Sequence, residues 1–196
     1  KRIVSNLNRA DQMIRNLLDA NRIKAGEPLP LKFGRMDLSE LLKETLESSS
    51  ETHGRRFILA TSENLSGVWS ADGLRRAMEN LLNNAAKYGA ADKPITVTAQ
   101  NTNGRIQITV HNEGLPIPVG EQAELFERFK RAKNAERNGV GGWGLGLTLV
   151  KGIAEAHKGR VWVHSAAGSG TTFGMDFPFT LPGSQEMLPL EPRKLG

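Results

Sequence analysis

Apolar residues recur over the first 25 positions at alternating steps of four and three: Ile3, Leu7, Ala10, Ile14 and Leu17, with charges between them. This heptad predicts a long amphipathic helix with a strip for packing against another helix. The register continues as polar Asn21 and Lys24, so the strip fades, and AGEPLPL stops the helix. Such a helix is expected to be half of a pair whose partner lies outside this sequence or on another copy. From Asp37 the pattern changes. DLSELLKETLESSSE predicts a second helix, with Asp37 as N-cap and Glu40 at capping-box spacing. RFILAT reads as a short strand, and VWSADGLRRAMENLLNNAAKYG as a turn followed by a helix ending at Gly89. PITVTAQNTNGRIQITVHN alternates on both sides of NTNG, a β-hairpin. Residues 119–129 predict a short helix. Residues 130–142 lack apolar period and read as a mobile loop, and GLGLTLVKGIAEAHKG as a helix from about Gly144. RVWVHSAAGSGTTFGMDFPF is a second hairpin. The tail from about 180 carries Pro182, Pro189 and Pro192 and little core material.

Helices and strands do not alternate as βαβ units. The expected fold class is α+β: a two-layer α/β sandwich, one mixed, mostly antiparallel sheet with helices on one face, preceded by one long helix. The 196 residues suit one ordinary domain plus an appendage. With no Cys, disulfides, thiolate zinc sites and cysteine nucleophiles are excluded. No apolar run approaches the ~20 residues needed to cross a bilayer. The net charge of +5 raises the question of nucleic acid. The basic residues are spread, however, and the densest group (Arg128, Lys130, Arg131, Lys133, Arg137) has almost no aromatic interleaving. It suits a polyphosphate equally well, and no nucleic-acid partner is expected.

Three segments carry candidate chemistry. On the helix of residues 72–88, Leu74, Met78, Leu81, Leu82 and Ala85 form the apolar face, while Asn80, Asn84, Lys87 and Tyr88 share another side. Two Asn and a Lys there are either a polar surface stripe or ligands. Amide oxygens suit a hard cation such as magnesium, and the Lys suits phosphate. GVGGWGLGL, residues 139–147, lacks the Lys-Ser/Thr of a Walker loop. It runs from a basic Gly-rich loop straight into a helix, whose free N–H groups make an anion site. Its glycines at 144 and 146 fall in the expected first helical turn, where Gly costs stability unless something packs close. GSGTTF, residues 168–173, is a hairpin turn compatible with a ligand role.

In this order the segments resemble the ATP-binding domain of bacterial two-component sensor histidine kinases, in the superfamily (GHKL) shared with gyrase and the heat-shock chaperone ATPases, which has the Bergerat-type ATP-binding fold. NLLNNAAKYG is similar to its N box, NEGLPIP to the first glycine box, and LFERFKR to the phenylalanine box with Phe126 and Phe129. GGWGLGLTLVKGIAEAHKG resembles the second glycine box and GSGTTF the third, while MIRNLLDANRIKAGE resembles the second helix of the dimerisation and phosphotransfer hairpin. The resemblance implies ATP and Mg2+ as cofactors. Asn84 would hold magnesium with Asn80 assisting, Lys87 would reach phosphate, and Tyr88 would pack near the nucleotide. Asn112 would bind the adenine amino group, Gly114 would make room for the base, and Ile117 would line the pocket. Arg131, Gly142 and the backbone of Gly144, Leu145, Gly146 and Leu147 would contact phosphates, and Thr171 would help close the adenine pocket. Phe126 and Phe129 would anchor the lid. By the same resemblance, residues 1–26 belong to the hairpin, 27–180 to the ATP-binding catalytic domain and 181–196 to a tail or linker.

The family's phospho-accepting His lies on the first hairpin helix. His53, His111, His157 and His164 do not match it and read as structural or surface residues, so the acceptor is expected outside this chain. The implied function is transfer of the γ-phosphoryl group of Mg-ATP to that His, for onward signalling to a response regulator, in a homodimer. The domain would be cytoplasmic, the full-length protein soluble or membrane-anchored. The alternative is a nucleotide-gated dimerisation or interaction module of the same superfamily without kinase activity. One departure stands out: the commoner family residue at position 112 is Asp. Asn both accepts and donates, so the amide is expected to alter base selectivity rather than abolish binding, with weaker discrimination of ATP from GTP than in Asn112→Asp.

Overall fold

The computed structural model describes residues 2–54, 56–61, 65–127 and 144–179, with residues 2–10, 12 and 13 described by backbone alone. The first helix, α1 (Arg2–Ala25), is followed by a short strand, β1 (Gly34–Asp37), and by α2 (Leu38–His53). Asp37 caps α2, its Oδ1 accepting the Ser39 and Glu40 N–H groups at 2.8 and 3.2 Å. The strands β2 (Phe57–Ala60) and β3 (Ser66–Trp69) precede α3 (Ala71–Tyr88). Ser70 caps α3 by accepting the Gly73 N–H at 3.2 Å. Leu74, Met78, Leu81, Leu82 and Ala85 are buried, as their spacing requires.

The long hairpin is β4 (Ile95–Thr102) and β5 (Arg105–Asn112). Its two-residue turn has positive φ at both Asn103 (53°) and Gly104 (75°), the geometry that matches the twist of paired strands. A one-turn helix, α4 (Val119–Gln122), runs into a 3-10 turn, Ala123–Phe126. Then come α5 (Gly146–Ala156), β6 (Arg160–Ala166) and β7 (Gly170–Pro178). The expected helix start near 144 is corrected by two residues. Gly144 has a φ of 66° and lies in the preceding loop, where the left-handed backbone calls for glycine.

The main sheet has the order β2-β4-β5-β7-β6. Only β2 and β4 are parallel, so the sheet is mixed and mostly antiparallel as expected. Ile95, Val97 and Ala99 of β4, Ile106, Ile108 and Val110 of β5, and Phe173, Met175 and Phe177 of β7 are buried with the apolar sides of α2, α3 and α5 in one core. The alternate positions Thr96, Thr98, Thr109, His111 and Thr172 are only half-buried. There Thr98 and Thr109 bond across strands at 2.5 Å, and His111 Nδ1 meets the Thr172 hydroxyl at 2.9 Å. Trp162 lies opposite Gly174, its ring filling the space a β-carbon would need.

Two strands escape the sequence pattern. β1 and β3 pair antiparallel in a ribbon of their own, so Val68 and Trp69 form a strand where a turn is expected. Trp69 holds the ribbon to the core: it is fully buried, its ring lies over Gly67, and it meets Phe177 and Phe179 edge-on at 5.8 and 5.9 Å. Helix α1 has two faces. Ile14, Leu17 and Leu18 are exposed on one of them. The opposite side docks on the sandwich. Ala20 is fully buried, Asp19 pairs with Arg76 of α3, and Ile23 fills the space beside Gly152 of α5.

Candidate functional site

Helix α3 lays out the site along its length. Asn80 is oriented by its own helix, Nδ2 donating to the Arg76 carbonyl at 2.7 Å. Its Oδ1 is thereby turned to Gly146, where a β-carbon would come within 2.6 Å of it. Gly146 thus needs to be glycine because the Asn80 amide occupies that space. Asn84 follows one turn later, half-buried. Lys87 and Tyr88 close the helix, both exposed, with the Lys87 ammonium 4.9 Å from the Tyr88 ring centre.

The start of α5 faces Asn80. Leu145 stands at its N-cap and makes no side-chain cap hydrogen bond, so the cap residue itself leaves the first-turn N–H groups open to other partners. Leu145 is buried and Leu147 packs against the core, which leaves backbone as what this segment offers a ligand. The Thr148 hydroxyl, in the same turn, is buried and has no partner among the described residues.

The other end is built on the last residue of β5. Asn112, Thr171 of β7 and Ser165 of β6 stand side by side in register and are 4, 3 and 4% exposed. The end of α3 is bolted to this row by a bridge between Gly89 and Gly114 and by the Ala90 N–H donating to the Glu113 carbonyl at 2.6 Å. A β-carbon at Gly114 would lie 2.6 Å from the Tyr88 carbonyl, so close backbone approach alone demands this glycine. Asn112 Nδ2 is turned to the same backbone, 3.4 Å from the Glu113 carbonyl. Its Oδ1 then remains as the acceptor. Ile117 is half-buried, its N–H donating to Ser165 Oγ at 3.0 Å and its carbonyl accepting from Gln122 at 2.9 Å. Phe126 is buried edge-on against Phe173 at 6.1 Å, an anchor in the core.

The structure therefore brings Asn80, in the middle of α3, to Gly146 at the start of α5, and Asn112 to Gly114 and Thr171 beyond the C-terminal end of α3. Arg131, Gly142, Phe129 and the loop of residues 130–142 lie outside the described residues. Sequence reasoning missed Gln122 and Ser165, which hold the site's backbone through contacts between distant segments; Gly89, read as a helix stop, also bridges Gly114. His157 is the structural residue expected. It is fully buried between Phe33 and Phe177, receives the Ser70 N–H on Nε2 at 3.0 Å and has Nδ1 2.8 Å from the Ile153 carbonyl. Burial holds its pKa below the ordinary value, the Ile153 bond opposing only in part.

A sheet covered on one face by helices, with a glycine-containing helix start beside the middle of α3 and a buried polar row beyond its C-terminal end, defines a nucleotide-binding α/β sandwich. Residues 70–181 match the family described as histidine kinase-, DNA gyrase B- and HSP90-like ATPases, and the chain belongs to it. Among curated proteins it is similar to the sensor-like histidine kinase SenX3 of Mycolicibacterium smegmatis (29% identity, 91% of this chain, 47% of that protein). It is also similar to the circadian input-output histidine kinase CikA of Synechococcus elongatus (31% identity, 93% of this chain, 24% of that protein). The chain thus spans less than half the length of these two relatives. Among solved structures the mycobacterial sensor histidine kinase MprB superposes with a TM-score of 0.66 at 26% identity, covering 75% of this chain and 97% of that one.

Proposed function

We propose that the chain is the catalytic, ATP-binding part of a sensor histidine kinase. Residues 27–180 form the nucleotide domain, and residues 1–26 are the second helix of a dimerisation and phosphotransfer hairpin. The carrying observation is the spacing along the C-terminal half of α3, from Asn80 in mid-helix to Gly89 at its C-cap. From Asn80 to Gly89 is nine residues, or about 13 Å at ~1.5 Å per residue, the scale of an extended nucleoside triphosphate. The base lies at Asn112, with its exocyclic amino group donating to Oδ1, and Gly114, Ile117, Tyr88 and Thr171 line that end. The phosphates lie at the start of α5, on the backbone of Gly144 to Leu147, where first-turn N–H groups and the helix dipole favour anions. Lys87, Arg131 and Gly142 contribute to the phosphate half.

Mg2+ fits the donor set. Asn80 and Asn84 offer neutral amide oxygens, hard donors with no charge of their own. Among the described residues no group of three or more His, Cys, Asp or Glu could hold a metal. The two amides would hold the ion together with the nucleotide phosphates, whose charge it would neutralise. The protein's contribution is positioning and electrostatics. In the transfer the bond from the γ-phosphorus to its bridging oxygen breaks, ADP leaves, and a phosphorus–nitrogen bond forms on an imidazole outside this chain. A response regulator then takes the phosphoryl group, and the whole protein works as a homodimer through the exposed strip of α1. No described helix is long and apolar enough to cross a membrane. We assign the domain to the cytoplasm and Asp/Glu-free magnesium binding to the two Asn. The interaction-module alternative has no such support, since the relatives are named as histidine kinases.

Mixing the chain with a separate hairpin that carries the acceptor His, plus γ-labelled ATP and Mg2+, should give acid-labile, alkali-stable phosphohistidine. Absence of transfer while calorimetry reports bound Mg-ADP would remove the kinase reading and leave the module. Absence of Mg-ADP binding would remove both.

A further inference from the structure

We infer that Gln122 is a positioning residue for the base half of the pocket, clamping the loop after Asn112 to the β6–β7 hairpin; this rests on the nucleotide reading above. Gln122 Nε2 donates to two backbone carbonyls, Ile117 at 2.9 Å and Ser165 at 2.8 Å. Both neighbours are acceptors, so both amide hydrogens are used and the orientation of the amide is dictated by its surroundings. The same residue it holds, Ile117, is tied a second time, its N–H donating to Ser165 Oγ at 3.0 Å. Ser165 Oγ meets the Thr171 hydroxyl at 2.7 Å, and Thr171 is the register partner of Asn112. Gln122 thus reaches the base-binding row through one residue on each side.

The start of the loop is tied to the end of α3 at Glu113 and Gly114, and residues 115–118 have little apolar burial to hold them. Of residues 113–118 only Ile117 is even half-buried, and it alone packs against the core. Leu115 and, just beyond, Val119 are 69 and 84% exposed. Hydrophobic burial therefore gives the loop one anchor, and the direction in which that anchor faces the pocket is set by the polar ties on its N–H and C=O. An amide is required at 122. A glutamate would set carboxylate oxygens against two carbonyls, and an alanine would leave both carbonyls without their partner.

The test is calorimetry on the whole chain with two probes, Mg-ADP and Mg-tripolyphosphate, which lacks a base. Gln122→Ala should weaken Mg-ADP about five- to tenfold, the scale of two hydrogen bonds, and leave Mg-tripolyphosphate unchanged. Gln122→Glu should weaken Mg-ADP further than Gln122→Ala does. Ser165→Ala should give the same base-selective loss, and the double variant less than the product of the two, because both ties hold Ile117. If Gln122→Ala melts too low to titrate, Gln122→Met keeps the volume, removes both donors and carries the same expectation. Wild-type affinity for Mg-ADP in Gln122→Ala, or an equal loss for both probes, overturns the inference alone. Failure of the wild-type chain to bind Mg-ADP overturns the pocket reading and the inference with it.

Discussion

Asn112 is 4% exposed, and its Nδ2 faces the Glu113 carbonyl. A carboxylate there would set an oxygen against that carbonyl and bury a charge. Asn112→Asp is therefore expected to lose about 1–3 kcal/mol of stability at neutral pH. The new carboxyl would have its folded-state pKa raised, so the gap from wild type should close as pH falls and the group is protonated. Melting curves at neutral and mildly acidic pH check this. The amide's orientation also bears on selectivity. With Nδ2 on the backbone, Oδ1 is an acceptor, as a carboxylate oxygen is, so wild type and Asn112→Asp should discriminate ATP from GTP alike. That differs from the selectivity loss expected of a free amide, and competition binding with the two nucleotides decides it. His157 gives a pH dependence of the opposite kind. Its folded pKa is lowered from 6.5 by burial, so the unfolded chain takes up the proton first. Its contribution to stability is full above the unfolded value and is lost as pH falls towards the folded one, by up to ~1.4 kcal/mol per pH unit. His157→Phe should remove that slope below pH ~6.5 while costing about 1–3 kcal/mol for the unpaired Ser70 N–H, measured by denaturant unfolding at several pH values.

Among the elements, the junction of α3 and α5 separates stability from function. Gly146 opens α5, and its missing β-carbon is replaced by Asn80 Oδ1. Gly146→Ala should help the helix by up to ~1 kcal/mol in propensity yet push on the amide at the phosphate end. The expected result is an unchanged or raised melting temperature with Mg-ADP affinity down about tenfold or more, read by melting and calorimetry on one sample. Elements with a clear period were legible beforehand. The two hairpins alternate over seven to nine residues, and α3 repeats its apolar side over 18. β1 and β3, four residues each, are too short to show a period, and their pairing depends on Trp69 reaching Phe177 and Phe179. The α5 start was misread because glycine carries no sign of whether it turns left-handed, as Gly144 does, or makes room, as Gly146 does.

Across the whole molecule, the ends of the site come from segments more than 80 residues apart, α3 at one extreme and β7 at the other. Ordered motifs identify such residues, but not the polar ties of Gln122 and Ser165, which exist only once the sheet is assembled. The docked side of α1 was equally hidden, because Asp19 and Ile23 lie off the heptad strip and meet Arg76 and Gly152 far along the chain.

The two tryptophans that lie over glycines have an optical consequence. Trp69 is fully buried at the end of the sheet opposite Asn112, its indole N–H on the Pro178 carbonyl, and should emit at short wavelength. Trp162 covers Gly174 on the face away from the helices. Neither fluorophore faces the pocket, so both should form a constant background during a nucleotide titration. Trp143, outside the described residues, is the third and last in the chain. Any emission change on adding Mg-ADP is therefore expected to vanish in Trp143→Phe, and a change that survived would reveal motion reaching the sheet itself.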